Sequence, residues 1–335
     1  MDRDDLHIAS YFRNLSQQDV ECLLCPWHCR IRPGKTGLCG ARENHEGTLY
    51  SANYGQVTSL ALDPIEKKPL YHFYPGRPIL SVGSFGCNLS CSFCQNWQIS
   101  QGRPLSEYIS PEKLVEMAVN CRPQGNLGVA YTYNEPFISY EYLADTAPLV
   151  AAEGMKNVLV TNGIVESEPL QALLPHLDAM NVDIKSMDDE FYRRLCGGRA
   201  QHPRDTVEAA MAHCHVEITN LLIPGENDSD EQIETLVDWA AGLSEHMPVH
   251  FSAYRPAHDF HAPSTPAATL KRAHEIAVSK LKFVYIGNLH LDGTTDTRCP
   301  SCDAVAVSRS GFQARPDCLS EGRCSNCGAG LNIIQ

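Results

Sequence analysis

From residue 79 onward the chain alternates short apolar runs with longer stretches whose apolar residues recur at helical spacing. The runs cover 79–85, 127–133, 156–161, 180–184, 216–223, 249–253 and 283–287; the helical windows cover 111–120, 137–153, 166–175, 188–195, 204–213, 230–244 and 266–279. Strands that alternate with helices predict a parallel sheet with crossover helices, hence an α/β fold curled into a full or partial barrel. Ser264-Thr265-Pro266 predicts the start of the last helix, an N-cap followed by proline at the first helical position.

Functional groups in such sheets gather where strands end and loops begin. Polar residues sit there: Asn134-Glu135-Pro136, Thr161-Asn162-Gly163, Asp183-Ile184-Lys185, and the stretch from Ile223 to Asp228. A single polar residue at a strand end is usually a cap or turn, but four sets in phase point to one mouth. The loop 252–261 carries further titratable groups at the same end. Its His258 and His261 could ligate a metal, but a three-residue step in a loop carries little weight, and they read as solvent-facing.

The flanks have a different character. Residues 1–21 read as an amphipathic start with Leu6, Ile8, Tyr11 and Phe12 among charges, followed by Cys22, Cys25 and Cys29, then Cys39 beyond a Pro33-Gly34 turn. Four thiolates suit a closed zinc site or an iron–sulfur cluster; zinc is placed first because closed sites in loop-rich segments are mostly structural. The stretch 63–76 follows neither helix nor strand periodicity and reads as a loop laid against the barrel mouth, with a solvated linker as the alternative. At the other end, Cys299-Pro300-Ser301-Cys302 and Cys324-Ser325-Asn326-Cys327 form paired knuckles around a short hairpin over 304–307 and 312–315, the pattern of a zinc ribbon, with rubredoxin-like iron second. Cys121, Cys196, Cys214 and Cys318 lack partners at ligand spacing and read as small buried or surface residues. Three parts result: a cysteine-rich metal-binding segment over 1–75, a core over 76–290 and a zinc ribbon over 291–335.

Bulk properties narrow the setting. Fifteen cysteines grouped in metal-type clusters, without a charged-then-apolar leader, predict a reducing, cytoplasmic location rather than a disulfide framework. A formal net charge of −13 argues against a nucleic-acid partner, which needs clustered cations. No apolar stretch approaches the ~20 residues of a membrane helix.

The chain is organised around Gly86-Cys87-Asn88-Leu89-Ser90-Cys91-Ser92-Phe93-Cys94, placed just after the first apolar run. Cys87, Cys91 and Cys94 offer three thiolates, so a [4Fe-4S] cluster held there keeps one iron open to a small molecule. The Cys-x3-Cys-x2-Cys spacing, with an aromatic before the last cysteine, resembles that of the radical S-adenosylmethionine (radical SAM) enzymes. The resemblance implies that these three cysteines are catalytic, that S-adenosylmethionine (SAM) chelates the open iron, and that its reductive cleavage gives a 5'-deoxyadenosyl radical that abstracts hydrogen from a substrate. The cofactor carries that chemistry. A zwitterionic sulfonium ligand needs an ammonium acceptor, a carboxylate partner and ribose hydrogen-bonders. Glu135 and Asn134 are the candidates for the first, Lys185 and Asp183 for the second and nearby hydroxyls, Thr161 and Asn162 for the third.

The whole chain is similar to the radical SAM enzymes of the AmmeMemoRadiSam system, relatives of the pyruvate formate-lyase activating enzymes. The leading cysteines, the Asp63-Pro64-Ile65-Glu66-Lys67-Lys68-Pro69-Leu70 stretch and the terminal knuckles carry that likeness. It implies a partial (β/α)6 barrel, an oxidoreductase, an electron donor such as flavodoxin or ferredoxin, and AMMECR-type and Memo-type partner proteins. Tyr133-Asn134-Glu135 departs from the two glycines that many radical SAM enzymes place before this glutamate. Competing readings are a glycyl-radical activase and, from another class, an iron–sulfur electron carrier or zinc-ribbon scaffold.

Overall fold

A computed structural model describes residues 6–335, so the first five residues of the expected amphipathic start lie outside the described residues. At its centre is an eight-stranded sheet. Strands β2 (Pro78–Gly83), β3 (Gly128–Tyr131), β4 (Lys156–Thr161), β5 (Ala179–Asp183), β6 (His215–Leu222), β7 (Val249–Ala253) and β8 (Val284–Gly287) run parallel, in sequence order across the sheet. Each falls within or next to one expected apolar run. Both faces of these strands are covered, which is why they read as continuous apolar runs: Val129, Leu159, Met180, Ile218 and Phe251 are all buried.

The sheet is wider than the six-stranded expectation. It has seven parallel strands, and the edge strand β1 (Ser59–Pro64) pairs antiparallel with β2, Ser59 opposite Gly83. β1 is only partly buried and ends in proline, a residue that an edge tolerates. Neither feature announces a strand in the sequence.

Crossover helices α1 (Pro111–Asn120), α2 (Tyr140–Ala152), α3 (Ser167–Leu173), α4 (Gln201–Ala210), α5 (Asp230–Leu243) and α6 (Ala267–Val278) occupy the expected windows. Ser110 and Ser229 cap α1 and α5, each hydroxyl accepting a backbone N–H of the first turn. The window at 188–195 instead holds a short turn, Asp189–Phe191, continued by a π-helical turn, Tyr192–Cys196. The start of α6 is also corrected. Pro266 is itself the cap residue, while the Thr265 hydroxyl accepts from the Tyr254 N–H at 2.8 Å and donates to the Leu222 carbonyl at 2.6 Å, tying the ends of β6 and β7 together.

The stretch 63–76 is neither at the mouth nor a solvated linker. It lies against the beginnings of the strands: Phe73 packs with Ile79, Leu127, Val158 and Ala179, and the Tyr71 and His72 N–H groups donate to Glu217, near the start of β6. The C-terminal residues cover it from outside. Arg309 donates to the Tyr71 carbonyl at 2.7 Å, and the Ile334 N–H donates to the His72 carbonyl at 2.8 Å. The expected hairpin is present as β9 (Val305–Ser310) and β10 (Gln313–Pro316).

At the N-terminal side, Phe12–Asn14, Val20–Cys22 and Arg30–Ile31 form one antiparallel sheet, and His7–Ile8, Thr48–Ser51 and Arg42–His45 another. A buried ion pair, Arg42 Nη1 to Glu141 Oε1 at 2.8 Å, ties this part to α2.

Candidate radical SAM site

The cysteine loop leaves β2 and is anchored on every side by neighbouring strand ends. Asn88 donates to the Ile164 carbonyl at 2.6 Å, and Asn162 donates to Asn88 at 2.9 Å and to Cys87 Sγ at 3.6 Å. Asn96 donates to the Tyr133 carbonyl at 2.8 Å, Gln101 to the Cys91 carbonyl at 3.1 Å. The loop after β7 joins from the far side: Gln95 donates to the Arg255 carbonyl and the Asp259 N–H to the Ser92 carbonyl, both at 3.0 Å. His258 stacks on Trp97 with ring centroids 5.1 Å apart. The expected mouth is therefore assembled from the ends of β2, β3, β4, β5 and β7.

Polar groups lie against two of the three sulfurs. The Leu89 N–H points at Cys87 Sγ at 3.4 Å, and the Ser100 hydroxyl lies 3.2 Å from Cys94 Sγ. Burial pushes the Cys87 and Cys94 thiols up, so at neutral pH they become thiolates on binding a cation. Burial opposes the Lys185 ammonium, but Asp183, Cys91 and Cys196 outweigh it and hold its pKa well above the usual lysine range. A fixed positive charge thus faces Cys91. Its Nζ lies 3.1 Å from Asp183 Oδ2, a carboxylate that is partly exposed.

Glu135 has work within the fold as well. The buried carboxylate accepts the Phe137 N–H at 2.9 Å and the Thr161 hydroxyl at 2.8 Å on Oε1, and the Asn162 N–H at 2.8 Å on Oε2. It holds the end of β4 against the end of β3. Burial raises its pKa to about 7 despite those bonds. Asn134 is likewise engaged, accepting the Ser84 N–H at 2.9 Å and donating to the Gly86 carbonyl at 3.0 Å.

Residues 81–240 match the family model of the Radical SAM superfamily. The chain belongs to that superfamily. The uncharacterized protein MJ0808 of Methanocaldococcus jannaschii is 40% identical over 337 residues, covering 97% of this chain and 99% of that protein. The pyruvate formate-lyase-activating enzyme of Clostridium pasteurianum is 27% identical over 161 residues, covering 46% of this chain and 65% of that enzyme. Among solved structures, Streptococcus suis SuiB bound to S-adenosylmethionine aligns with TM-score 0.51 at 17% identity, over 68% of this chain and 53% of that one. A radical SAM methyltransferase from Sphaerobacter thermophilus aligns with TM-score 0.50 at 18% identity, over 72% of each chain. These two likenesses show a shared fold.

Membership of the radical SAM superfamily implies a [4Fe-4S] cluster and SAM, and the donor set at the loop fits that cofactor. Three thiols converge on one loop, amide donors point at Cys87 Sγ, the Ser100 hydroxyl lies beside Cys94 Sγ, and a lysine ammonium interacts with Cys91. In this radical SAM protein the structure adds a residue that cysteine spacing missed. Cys196, in the π-helical turn, has its thiol against Cys91, and its carbonyl accepts the Ser90 N–H at 2.9 Å. Nothing local in the sequence marks that contact.

The C-terminal cysteines form a separate centre. Cys299, Cys302, Cys324 and Cys327 have all four sulfurs within 4.8 Å of one another, with Cys299 to Cys327 at 3.5 Å and Cys302 to Cys324 at 3.7 Å. Tetrahedral Zn–S bonds of about 2.3 Å put neighbouring sulfurs about 3.8 Å apart. The spacing fits a single tetrahedral ion.

Proposed function

We propose that this chain is a radical SAM oxidoreductase in which Cys87, Cys91 and Cys94 hold a [4Fe-4S] cluster whose fourth iron binds the methionyl group of SAM. When bound, that cluster supplies the electron that cleaves the sulfonium to a 5'-deoxyadenosyl radical, which takes a hydrogen atom from the substrate. The observation that carries the reading is the convergence of the three-thiol loop with Glu135, Thr161, Asn162, Asp183 and Lys185 at one mouth.

The chain's own groups divide the work. Lys185 faces the methionyl carboxylate and neutralises charge beside Cys91, while Asp183 takes ribose or ammonium N–H and O–H donors at the open edge. Glu135 fixes Thr161 and Asn162 in register, and its Oε2 keeps one lone pair for the ammonium. Phe93, between Cys91 and Cys94, packs with Phe191 and Phe260 at centroid distances of 6.0 and 6.5 Å and backs the loop with apolar surface. The terminal knuckles hold structural zinc. A one-electron donor of the flavodoxin or ferredoxin class completes the reaction.

Within the superfamily we assign the chain to the AmmeMemoRadiSam class, with AMMECR-type and Memo-type proteins as its partners. Support comes from the leading cysteines, the 63–70 stretch and the terminal knuckles, and the match to the activating enzyme covers under half of this chain. That partial coverage ranks a glycyl-radical activase second. The test is 5'-deoxyadenosine release by anaerobically reconstituted protein given SAM and dithionite. Release that disappears in Cys91→Ala supports the reading; a wild-type protein that carries the cluster yet neither binds SAM nor releases the nucleoside overturns it.

A further inference from the structure

Four cysteines outside the radical SAM loop also converge. The Cys22 N–H donates to the Cys29 carbonyl at 3.0 Å, and Cys22, Cys25, Cys29 and Cys39 lie near enough for their charges to interact. They are spread more widely than the C-terminal four. Among the described residues, the set that closes to within 4.8 Å is Cys299, Cys302, Cys324 and Cys327; the N-terminal sulfurs do not. One ion at the centre of a tetrahedron draws its sulfurs to about 3.8 Å. A four-iron core, in which each thiolate binds a different iron, holds them farther apart.

Arg42 supplies a second, independent observation. Its side chain is 1% exposed and donates to Glu141 through Nη1, yet its Nε and Nη2 have no partner in the protein. Buried donors without acceptors cost about 1–3 kcal/mol each, so a fold that keeps them has something for them to bind. The same guanidinium lies close enough to Cys22 and Cys39 to feel their charge. Glu141 Oε2 beside it is also unpaired, and an anionic group spanning those thiols, with acceptor sulfurs of its own, would offer the guanidinium the acceptors it lacks.

The site also abuts the radical SAM loop. Trp27, between Cys25 and Cys29, donates its indole N–H to the Asn88 carbonyl at 2.7 Å. The Cys39 carbonyl packs on Gly86 so tightly that a Cβ there would sit 2.5 Å from it, and φ at Gly86 is +86°. Only glycine allows that approach, one residue before Cys87.

We propose that Cys22, Cys25, Cys29 and Cys39 ligate a second [4Fe-4S] cluster, closed by four thiolates, with Arg42 as its buried counter-charge, rather than the zinc that cysteine spacing alone favours. This centre does not depend on the reading of Cys87, Cys91 and Cys94, so it is tested with that set removed. The full chain carrying Cys87→Ala, Cys91→Ala and Cys94→Ala is reconstituted anaerobically with iron and sulfide. Iron, acid-labile sulfide and zinc are then counted per chain, and electron paramagnetic resonance spectra are recorded after dithionite reduction.

The expected result is about four irons and about four sulfides per chain with a reduced-cluster signal, against about eight of each in the wild type. Acid-labile sulfide separates a cluster from a single rubredoxin-like iron in the ribbon. A chain with no sulfide, whether it holds a second zinc beyond that of the ribbon or no metal at these cysteines, overturns the proposal. In the same background Arg42→Gln is expected to lower the reduction potential of the remaining cluster, because the reduced, more negative form loses its counter-charge. An unchanged potential in a chain that keeps its iron overturns the part assigned to Arg42.

Discussion

His250 bonds through its ring Nε2 to Glu217 Oε2 at 2.6 Å, while the other oxygen of the same carboxylate meets His215 Nε2 at 2.9 Å, all three side chains being shut away from solvent. Burial opposes the charge, but the two imidazoles outweigh it and hold the Glu217 carboxyl well below the usual range. Beside it, burial pushes His72 down to about 3.

Both shifts make acid destabilising. As pH falls, the unfolded chain binds a proton on His72 near pH ~6.5 and on Glu217 near ~4.3, while the folded protein accepts neither until far lower. The stability these two groups contribute is present above those unfolded values and is lost as pH falls below them toward the folded ones. The urea midpoint should therefore drop between pH 7 and pH 5, with His72 accounting for about 2 kcal/mol of the loss. The His72→Gln chain, which cannot titrate, should show a smaller drop; an equal drop would remove His72 from the account.

Glu135→Ala leaves the Phe137 and Asn162 N–H groups and the Thr161 hydroxyl without their acceptor. The expected loss is about 3 kcal/mol of stability by chemical denaturation, since each buried donor left unpaired costs about 1–3 kcal/mol. Glu135→Gln keeps one carbonyl oxygen and should lose less. SAM binding by equilibrium dialysis should weaken in both, more in the alanine chain.

Lys185 pairs with Asp183 at 3.1 Å, and its charge interacts with Cys91. Lys185→Met removes one charge-assisted contact to the methionyl carboxylate, worth about 1.5–3 kcal/mol, and should weaken SAM binding roughly tenfold or more. Folding should be little changed, and Lys185→Arg should recover part of the affinity. Unaltered SAM affinity in Lys185→Met would take this lysine out of the ligand's shell.

Metal removal from the C-terminal centre should act locally at first. Chelation, or Cys302→Ser, frees the knuckles and with them the cover over Tyr71 and His72. Limited proteolysis should then cut within residues 300–330 and next around 65–76, while the parallel sheet resists. Simultaneous loss of the whole sheet would contradict that order.

The sequence made the parallel strands legible because burial on both faces left them uniformly apolar, and cysteine spacing is local enough to read directly. What it hid depends on contacts between distant residues. The stretch 63–76 looks like a loop because its buried charges find partners far along the chain, Glu66 near Arg309 and the Tyr71 carbonyl with Arg309, 238 residues away. Cys196 meets Cys91 only through the π-helical turn. Glu135 has the composition expected of a ligand acceptor, and only the folded geometry reveals that its oxygens already hold the end of β4.

The underside of the sheet depends in part on the last segment of the chain. Glu217, on β6, buries its charge beside Tyr71 and His72, which pack on Phe283 and Tyr285 and are bonded from outside by Arg309, Leu331 and Ile334. β8 and the residue that precedes it supply one part of that cover, through Tyr285 and Phe283, and the C-terminal segment supplies the other. A chain without Arg309, Leu331 and Ile334 would leave the Tyr71 and His72 carbonyls and the His72 ring nitrogen without these partners, and the base wetter than in the complete fold.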